Sequence, residues 1–181
     1  MSLMKSRKPV TIEDMYNMPK DGRKYELVDG EIVVSPGNWR HTEIATKIAH
    51  IFGTFLDASQ VGKVFCDNLG IVLPNRNLRS PDVTFVGAEK LPDGELPEAF
   101  AEVVPDLAVE VLSPSNSPEY IAKKIGEFLE CGVTMVWVVD PVHKTITVYR
   151  SLSQTEQYPA DDTITAEPLL PGFSCRVSRL F

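Results

Sequence analysis

Apolar residues recur along the chain at two different spacings, which predict helices in some segments and strands in others. A helical repeat of apolar residues follows Asn38, a suitable N-cap, and continues to about residue 59. A second amphipathic helix is expected from about Glu119 to Cys131, where Gly132 ends it, and a short capped helix from Thr11 to Met18. The pattern therefore predicts two long helices and one short one.

Stretches with a period of two, or with unbroken apolar character, predict β-strands. Tyr25 to Val34 has the sequence of a tight hairpin, because Asp29-Gly30 tolerates the positive φ angles of a two-residue turn. Leu107 to Leu112 is almost entirely apolar, as expected of a central strand covered on both faces. Further strands are expected at Lys63–Leu73 and Asp82–Val86, paired across a turn at 74–77, and at Met135–Val139 and Thr145–Tyr149.

The stretches between these elements predict connections. Residues 91–105 contain three prolines and several acids, which indicates a long surface loop with one helical turn at 98–102. The tail from Thr163 to Phe181 is expected either to add one edge strand or to pack as a final arm.

Length and composition narrow the class of protein. The chain has 181 residues, 43% of them apolar and 24% charged, which predicts one globular domain over 1–181. We expect residues 1–10 to be flexible, and residues 1–3, ahead of a second methionine, to be a cloning remnant. A net charge of -7 disfavours a general nucleic-acid coat held by bulk positive charge.

Cysteine usage and hydropathy bear on location. Three widely spaced cysteines without a CxxC motif support neither a disulfide framework nor a zinc knuckle. No apolar run reaches the roughly 20 residues that a membrane helix needs. We therefore expect a cytoplasmic protein.

Two acids stand in segments predicted to be strands. Glu110 lies in the middle of Leu107–Leu112, where a buried carboxylate costs several kcal/mol unless it is paired or ligates a metal. Asp82 follows Pro81 at the start of another strand. The alternatives are a buried Glu satisfied by an arginine or a backbone donor, and an ordinary turn aspartate. Together the two carboxylates could converge on a hard divalent cation.

Two basic side chains fall on the buried faces of the predicted helices. Lys124 lies inside the apolar arc of its helix, whereas Lys123, Glu127 and Glu130 point the other way. Its ammonium either extends past the core to solvent or meets a buried acid or an anionic substrate. His41 faces inward near the N-terminal end of its helix, where it is either a satisfied core histidine or a neighbour of the two acids.

Charges elsewhere are weaker candidates. Glu26 and Glu31 flank the hairpin turn, and each is either an exposed hairpin charge or turned toward the same site. A local basic rim could form around a substrate, although ordinary solvated charges explain each member equally well; its candidates are Arg40, Arg76, Arg79 and Lys123. An exposed edge strand or hairpin could also pair with its copy in a homodimer.

Several short motifs occur in a characteristic order. They are Tyr25-Glu-Leu-Val-Asp-Gly-Glu31, His41, Ser80-Pro-Asp82, Asp106-Leu-Ala-Val-Glu-Val-Leu-Ser-Pro114, Lys124, Gly132-Val133, Trp137-Val-Val-Asp-Pro141 and Leu170-Pro-Gly-Phe173. In this order, and from Thr11 onward, the chain resembles the Uma-type family of proposed restriction endonucleases. That family, formerly a domain of unknown function, belongs to the PD-(D/E)XK nuclease superfamily.

The resemblance implies a fold and an active site. It implies an α/β (α+β) fold, restriction-endonuclease-like, in which helices flank a mixed, curved β-sheet that follows the N-terminal hairpin. Pro81-Asp82 would match the PD element, and Glu110 the second acid. The lysine expected two residues after Glu110 is Leu112 instead, and the lysine that similar family members carry on the following helix matches Lys124.

The preferred hypothesis is a metal-dependent endonuclease. Asp82 and Glu110 would hold Mg²⁺ or Mn²⁺, and Lys124 would assist hydrolysis of a phosphodiester bond in DNA. Two alternatives remain open. One is a catalytically weak or inactive nuclease-fold module that binds nucleic acid or a protein partner. The other is a metal-assisted hydrolase of small phosphate esters.

Overall fold

The computed structural model describes residues 8–35, 38–66, 69–91, 100–114 and 116–181. Most of the segment expected to be flexible at the N-terminus, and residues 98–99 of the helical turn expected at 98–102, lie outside the described residues. The helical turn is wrong for residues 100–102, which are not helical because Ala101 pairs with Ile71 in a β-bridge. Within these ranges there are three α-helices: α1 (Ile12–Met15), α2 (Trp39–Ser59) and α3 (Pro118–Glu130). The strands are β1 (Lys24–Val28), β2 (Glu31–Ser35), β3 (Gly62–Cys66), β4 (Ile71–Val72), β5 (Leu78–Arg79), β6 (Val83–Gly87), β7 (Leu107–Val111), β8 (Met135–Asp140), β9 (Thr145–Tyr149), β10 (Thr155–Pro159), β11 (Thr163–Thr165) and β12 (Ser174–Arg176).

Side-chain caps fix where the two long helices begin. The Asn38 side chain accepts hydrogen bonds from the backbone N–H groups of Arg40 and His41 at the start of α2. Ser117 caps α3 in the same way, and Pro118 occupies its first turn. Both helices therefore begin within a residue or two of their predicted positions.

A six-stranded mixed sheet forms the centre of the fold. Its strand order is β10-β9-β8-β7-β6-β3, and within it β7 and β8 run parallel while the other pairs are antiparallel. Helix α2 packs on one face, where Phe52 meets Trp137 edge to face at 5.4 Å between ring centroids. Helix α3 packs on the other face through Ile125 and Phe128. The predicted mixed fold with flanking helices is confirmed.

A second, four-stranded sheet lies beside the first, in the order β2-β1-β5-β4. The single strand predicted over Lys63–Leu73 is wrong: β3 pairs with β6 in the large sheet, as predicted, whereas β4 pairs with β5 in the small one. Gly70 precedes the second piece and approaches Phe100 so closely that a Cβ would lie 2.4 Å from that ring. The regular alternation of residues over Lys63–Leu73 does not reveal that the chain passes from the large sheet to the small one within this segment.

The C-terminal part of the chain completes the core. Strand β10 was not predicted, because its residues are mostly exposed and polar at the edge of the sheet. The tail packs as an arm: β11 and β12 form a separate hairpin, and Ile164, Leu170 and Phe173 join the core beneath α2. Among the described helices, none combines the length and apolar character needed to span a bilayer.

Candidate functional site

The pairing of β6 with β7 brings the two predicted acids together. Val83 lies opposite Val109, so Asp82, one residue earlier, lies opposite Glu110. Directly opposed residues of an antiparallel pair point to the same face of the sheet. Glu110 alternates with Val109 and Val111, which face α2, and its carboxylate therefore points to the α3 side.

Asp82 is buried and held by three groups. Its Oδ1 lies 2.6 Å from Lys24 Nζ. Its Oδ2 lies 2.9 Å from His41 Nε2 and accepts a hydrogen bond of 2.8 Å from the backbone N–H of Val111. Burial raises the pKa of Asp82, but the hydrogen bond from His41 and the charge of Lys24 outweigh it, so that the pKa lies well below its ordinary value. Asp82 is therefore a stable carboxylate.

Glu110 has a weaker set of partners. Lys124 Nζ lies 2.8 Å from its Oε1, yet the approach lacks hydrogen-bond geometry, and this buried oxygen has no hydrogen-bond donor among the described residues. Burial raises the pKa of Glu110 to about 7; the charge of Lys124 opposes the rise, and that of Asp82 adds to it. A buried acid in this state would be stabilised by another cation.

Lys124 lies on the buried face of α3, where the helical wheel puts it, and its ammonium joins two carboxylates. It lies 2.8 Å from Glu110 Oε1 and 3.0 Å from Glu26 Oε1. Burial lowers the pKa of Lys124, but the negative charges of Glu110 and Glu26 more than compensate, so that its pKa is raised above the ordinary value. Lys124 therefore carries a permanent positive charge against the two acids.

Glu26 links the site to the small sheet. Its Oε1 accepts a hydrogen bond of 2.8 Å from the backbone N–H of Ser80, and its Oε2 accepts one of 3.0 Å from Tyr120 Oη. Burial raises the pKa of Glu26, but the charges of Lys124 and Arg79 outweigh it and lower the pKa to about 2. Of the two hairpin acids, Glu26 is thus brought into the site. Glu31 lies exposed at the start of β2, and none of the described hydrogen bonds or ion pairs joins it to the site.

Arg79 is a buried structural cation, so its placement in a surface rim was wrong. It is fully buried, and its guanidinium donates to Glu26 Oε2 at 3.2 Å and to Glu127 Oε2 at 2.7 Å through Nε. Glu127, predicted to face solvent, is also buried and accepts further hydrogen bonds from Asn75 and Asn77. The helical wheel was wrong at Glu127 because it considers α3 alone. Strand β5 packs against the polar side of α3, and its Arg79 supplies the positive charge that accompanies the buried Glu127 carboxylate.

His41 and Lys24 form the exposed side of the site. His41 is one-quarter exposed and reaches Asp82 from the first turn of α2. Lys24 was not predicted; the period of two in β1 puts it on the same face as Glu26 but does not show that β1 approaches Asp82. Tyr120, which contacts Glu26, was also not predicted. It lies in the first turn of α3, three residues after the capping Ser117, and nothing in its sequence position indicates a place in the site.

Two clefts adjoin the site. One, of about 330 Å³, is lined on the His41 side by residues that include Arg40, Asp140 and His143. The other, of about 700 Å³, lies on the Lys24 side, where Lys20 and Ser80 also line it. Each cleft is thus bordered by one of the two partly exposed side chains that contact Asp82.

The donor set agrees with a weakly coordinated hard cation. The buried carboxylates of Asp82, Glu110, Glu26 and Glu127 outnumber the lysine and arginine side chains that contact them, which are Lys24, Lys124 and Arg79. The described residues contain no group of three or more His, Cys, Asp or Glu side chains that could enclose a metal. Mg²⁺ is usually held by one or two carboxylates, with water and substrate completing its shell. Asp82 and Glu110 are of the chemical type that such an ion takes, and their present partners are Lys24, His41 and Lys124.

Comparison with known proteins identifies the family of the chain and structures with a similar fold. Residues 12–178 match the Uma2 family, described as "Putative restriction endonuclease". The chain belongs to the Uma2 family. Its fold is similar to the crystal structure of a DUF820 protein from Anabaena variabilis titled a "putative nuclease", with a TM-score of 0.83 and 22% identity over 96% of this chain and 98% of that one. No curated protein matches the Uma2 chain described here.

Proposed function

We propose that this Uma2 chain is a metal-dependent endonuclease that hydrolyses phosphodiester bonds in DNA. The family supports a nuclease hydrolase, and the observation that carries the finer proposal is the alignment of Asp82 opposite Glu110 with Lys124 against the second acid. On this proposal Pro81-Asp82 is the PD element of a PD-(D/E)XK nuclease. Leu112, where that pattern expects lysine, packs partly buried against the α3 core, so Lys124 takes its place.

Each side chain has a distinct task in the proposal. Asp82 and Glu110 hold Mg²⁺ or Mn²⁺. When bound, such a cation supplies Lewis acidity and positive charge at the phosphate under attack. Lys124, fixed between Glu110 and Glu26, presents a positive charge that stabilises negative charge developing on the phosphate oxygens. His41 and the Val111 N–H orient the Asp82 carboxylate.

Nucleic acid is the substrate class that the family implies, and DNA is our more specific proposal. The chain is acidic overall, with a net charge of -7, so contacts with phosphates would be local to the two clefts. Lys20 and Lys24 line one cleft and Arg40 lines the other. The three cysteines are free thiols, as a reducing, cytoplasmic location would require. The pairing of two copies into a homodimer stays a prediction.

One observation favours a second candidate. Asp82 already makes contacts with Lys24, His41 and the Val111 N–H, so a chain that cannot release these contacts would bind nucleic acid or a protein without cutting. The two candidates differ in whether the acids bind a metal and in whether DNA is cut.

The test is a cleavage assay with Mg²⁺ or Mn²⁺ on single-stranded, duplex and branched DNA. The wild type should cut at least one substrate, and Asp82→Ala, Glu110→Ala and Lys124→Ala should each lose about 10²-fold or more in rate. Asp106→Ala is the matched control, because Asp106 is also buried and ion-paired but contacts Lys90, outside the site. Equal residual cutting by all variants would reveal a contaminant and contradict the proposal.

A further inference from the structure

Lys24, in β1 of the small sheet, and Asp82, directly before β6 of the large sheet, form one of the closest contacts of the site. Lys24 Nζ lies 2.6 Å from Asp82 Oδ1, while Oδ2 is occupied by His41 and by the Val111 N–H. Among the described residues, Lys24 is the only partner of Oδ1. A cation that binds Asp82 through Oδ1 must therefore displace the Lys24 ammonium, because two positive charges repel strongly at that separation.

The Lys24 side chain borders open space into which it can move. Its side chain is 16% exposed, in contrast to Lys124, which is buried. It also lines the cleft of about 700 Å³ that Lys20 and Ser80 border. A lysine side chain is long and flexible, and its ammonium can exchange one anionic partner for another without moving the backbone.

We infer that Lys24 is an exchangeable cation of the site: it neutralises Asp82 until a divalent ion binds there, and then turns into the adjacent cleft to meet a substrate phosphate. The inference rests on the proposed function, since it assumes that Asp82 takes a metal. It assigns Lys24 a substrate-binding role distinct from that of Lys124, whose two acids hold it in place. It also selects the Lys24 side, rather than the His41 side, as the approach of the substrate.

The decisive measurement is calorimetric titration of the full chain with Mn²⁺, in the absence of DNA. Lys24→Met removes the competing ammonium, so Mn²⁺ should bind about tenfold more tightly than to the wild type. Lys24→Arg keeps a competing cation and should stay within about threefold of the wild type. Lys123→Met, which removes a positive charge from an exposed pair with Asp29, controls for the change in net charge.

The outcomes separate this inference from the proposed function. Tighter Mn²⁺ binding by Lys24→Met than by Lys123→Met supports the inference, because a purely structural role for Lys24 predicts unchanged or weaker binding. Equal or weaker binding by Lys24→Met overturns it, as does the absence of Mn²⁺ binding in every variant. Circular dichroism checks folding, and Lys24→Gln replaces Lys24→Met if the latter fails to fold. Metal binding without cleavage would contradict the proposed function and leave the inference standing.

Discussion

Lys124 Nζ lies 2.8 Å from Glu110 Oε1 and connects a helix to the central strand of the sheet. Glu110 on β7 and Lys124 on α3 are both buried, and each would be costly without the other. The same ammonium also contacts Glu26 from the small sheet, 3.0 Å away. One side chain therefore joins three elements of the fold at the place where we propose the chemistry occurs.

Replacing Lys124 should affect both activity and stability. Lys124→Met leaves Glu110 and Glu26 without their shared cation, which should reduce the free energy of unfolding by about 3–5 kcal/mol at neutral pH. Cleavage should fall by about 10²-fold or more, because the charge at the phosphate is lost. Urea titration and initial cleavage rates measure the two effects. Lys123→Met, an exposed neighbour on the same helix, should change stability by less than about 1 kcal/mol and retain activity.

Arg79 should matter for stability more than any surface arginine. Arg79→Met leaves the buried carboxylates of Glu127 and Glu26 without their guanidinium, at an expected cost of about 3–5 kcal/mol in the free energy of unfolding. Chemical denaturation followed by circular dichroism provides the measurement. Arg176→Met is the control, because Arg176 is exposed and its nearest acid, Asp161, is 3.8 Å away. Similar losses in the two variants would show that the Arg79 network contributes little.

Stability should depend on pH through Glu26. The pKa of Glu26 is lowered to about 2 in the folded chain, from an ordinary value of 4.5, because the charges of Lys124 and Arg79 outweigh the effect of burial. Its contribution is therefore fully present above about pH 4.5 and is lost as the pH falls toward 2. At pH 6, Glu26→Gln should be about 3 kcal/mol less stable than the wild type.

Urea titrations between pH 6 and pH 3 test this directly, since the gap between wild type and Glu26→Gln should narrow as the pH falls. Glu156→Gln is a suitable control, because Glu156 is largely exposed and its ion pair with Arg150 should contribute little to stability at any of these pH values. A gap that stays constant, or widens toward low pH, would contradict the assigned role of Glu26.

The pattern of apolar and polar residues was sufficient to predict the strands that carry or adjoin the two acids. Alternation and the unbroken apolar run located β6 and β7, and the wheel put Lys124 on the buried side of α3. These positions depend on local spacing, which the sequence records directly. The combination of Asp82, Glu110 and Lys124 followed from them together with the resemblance to the family.

The parts that escaped prediction depend on contacts between distant segments. Arg79 and Glu127 are both charged and look like surface residues in sequence, and only the approach of β5 to α3 explains their burial. Lys24 was overlooked because the chain gives no sign that β1 approaches the start of β6. Such cross-sheet ion pairs leave no periodic signal within either strand.

The most direct test of the central claim is whether Asp82 and Glu110 share one metal ion. In calorimetric titration with Mn²⁺, we predict one ion per chain for the wild type and for Asp106→Asn, whose acid is buried outside the site. Asp82→Asn and Glu110→Gln should each weaken Mn²⁺ binding by about tenfold or more, because either change removes one of the two charged oxygen ligands of the ion. Unchanged Mn²⁺ binding by Asp82→Asn or Glu110→Gln would contradict the shared site and, with it, the proposed metal-dependent nuclease.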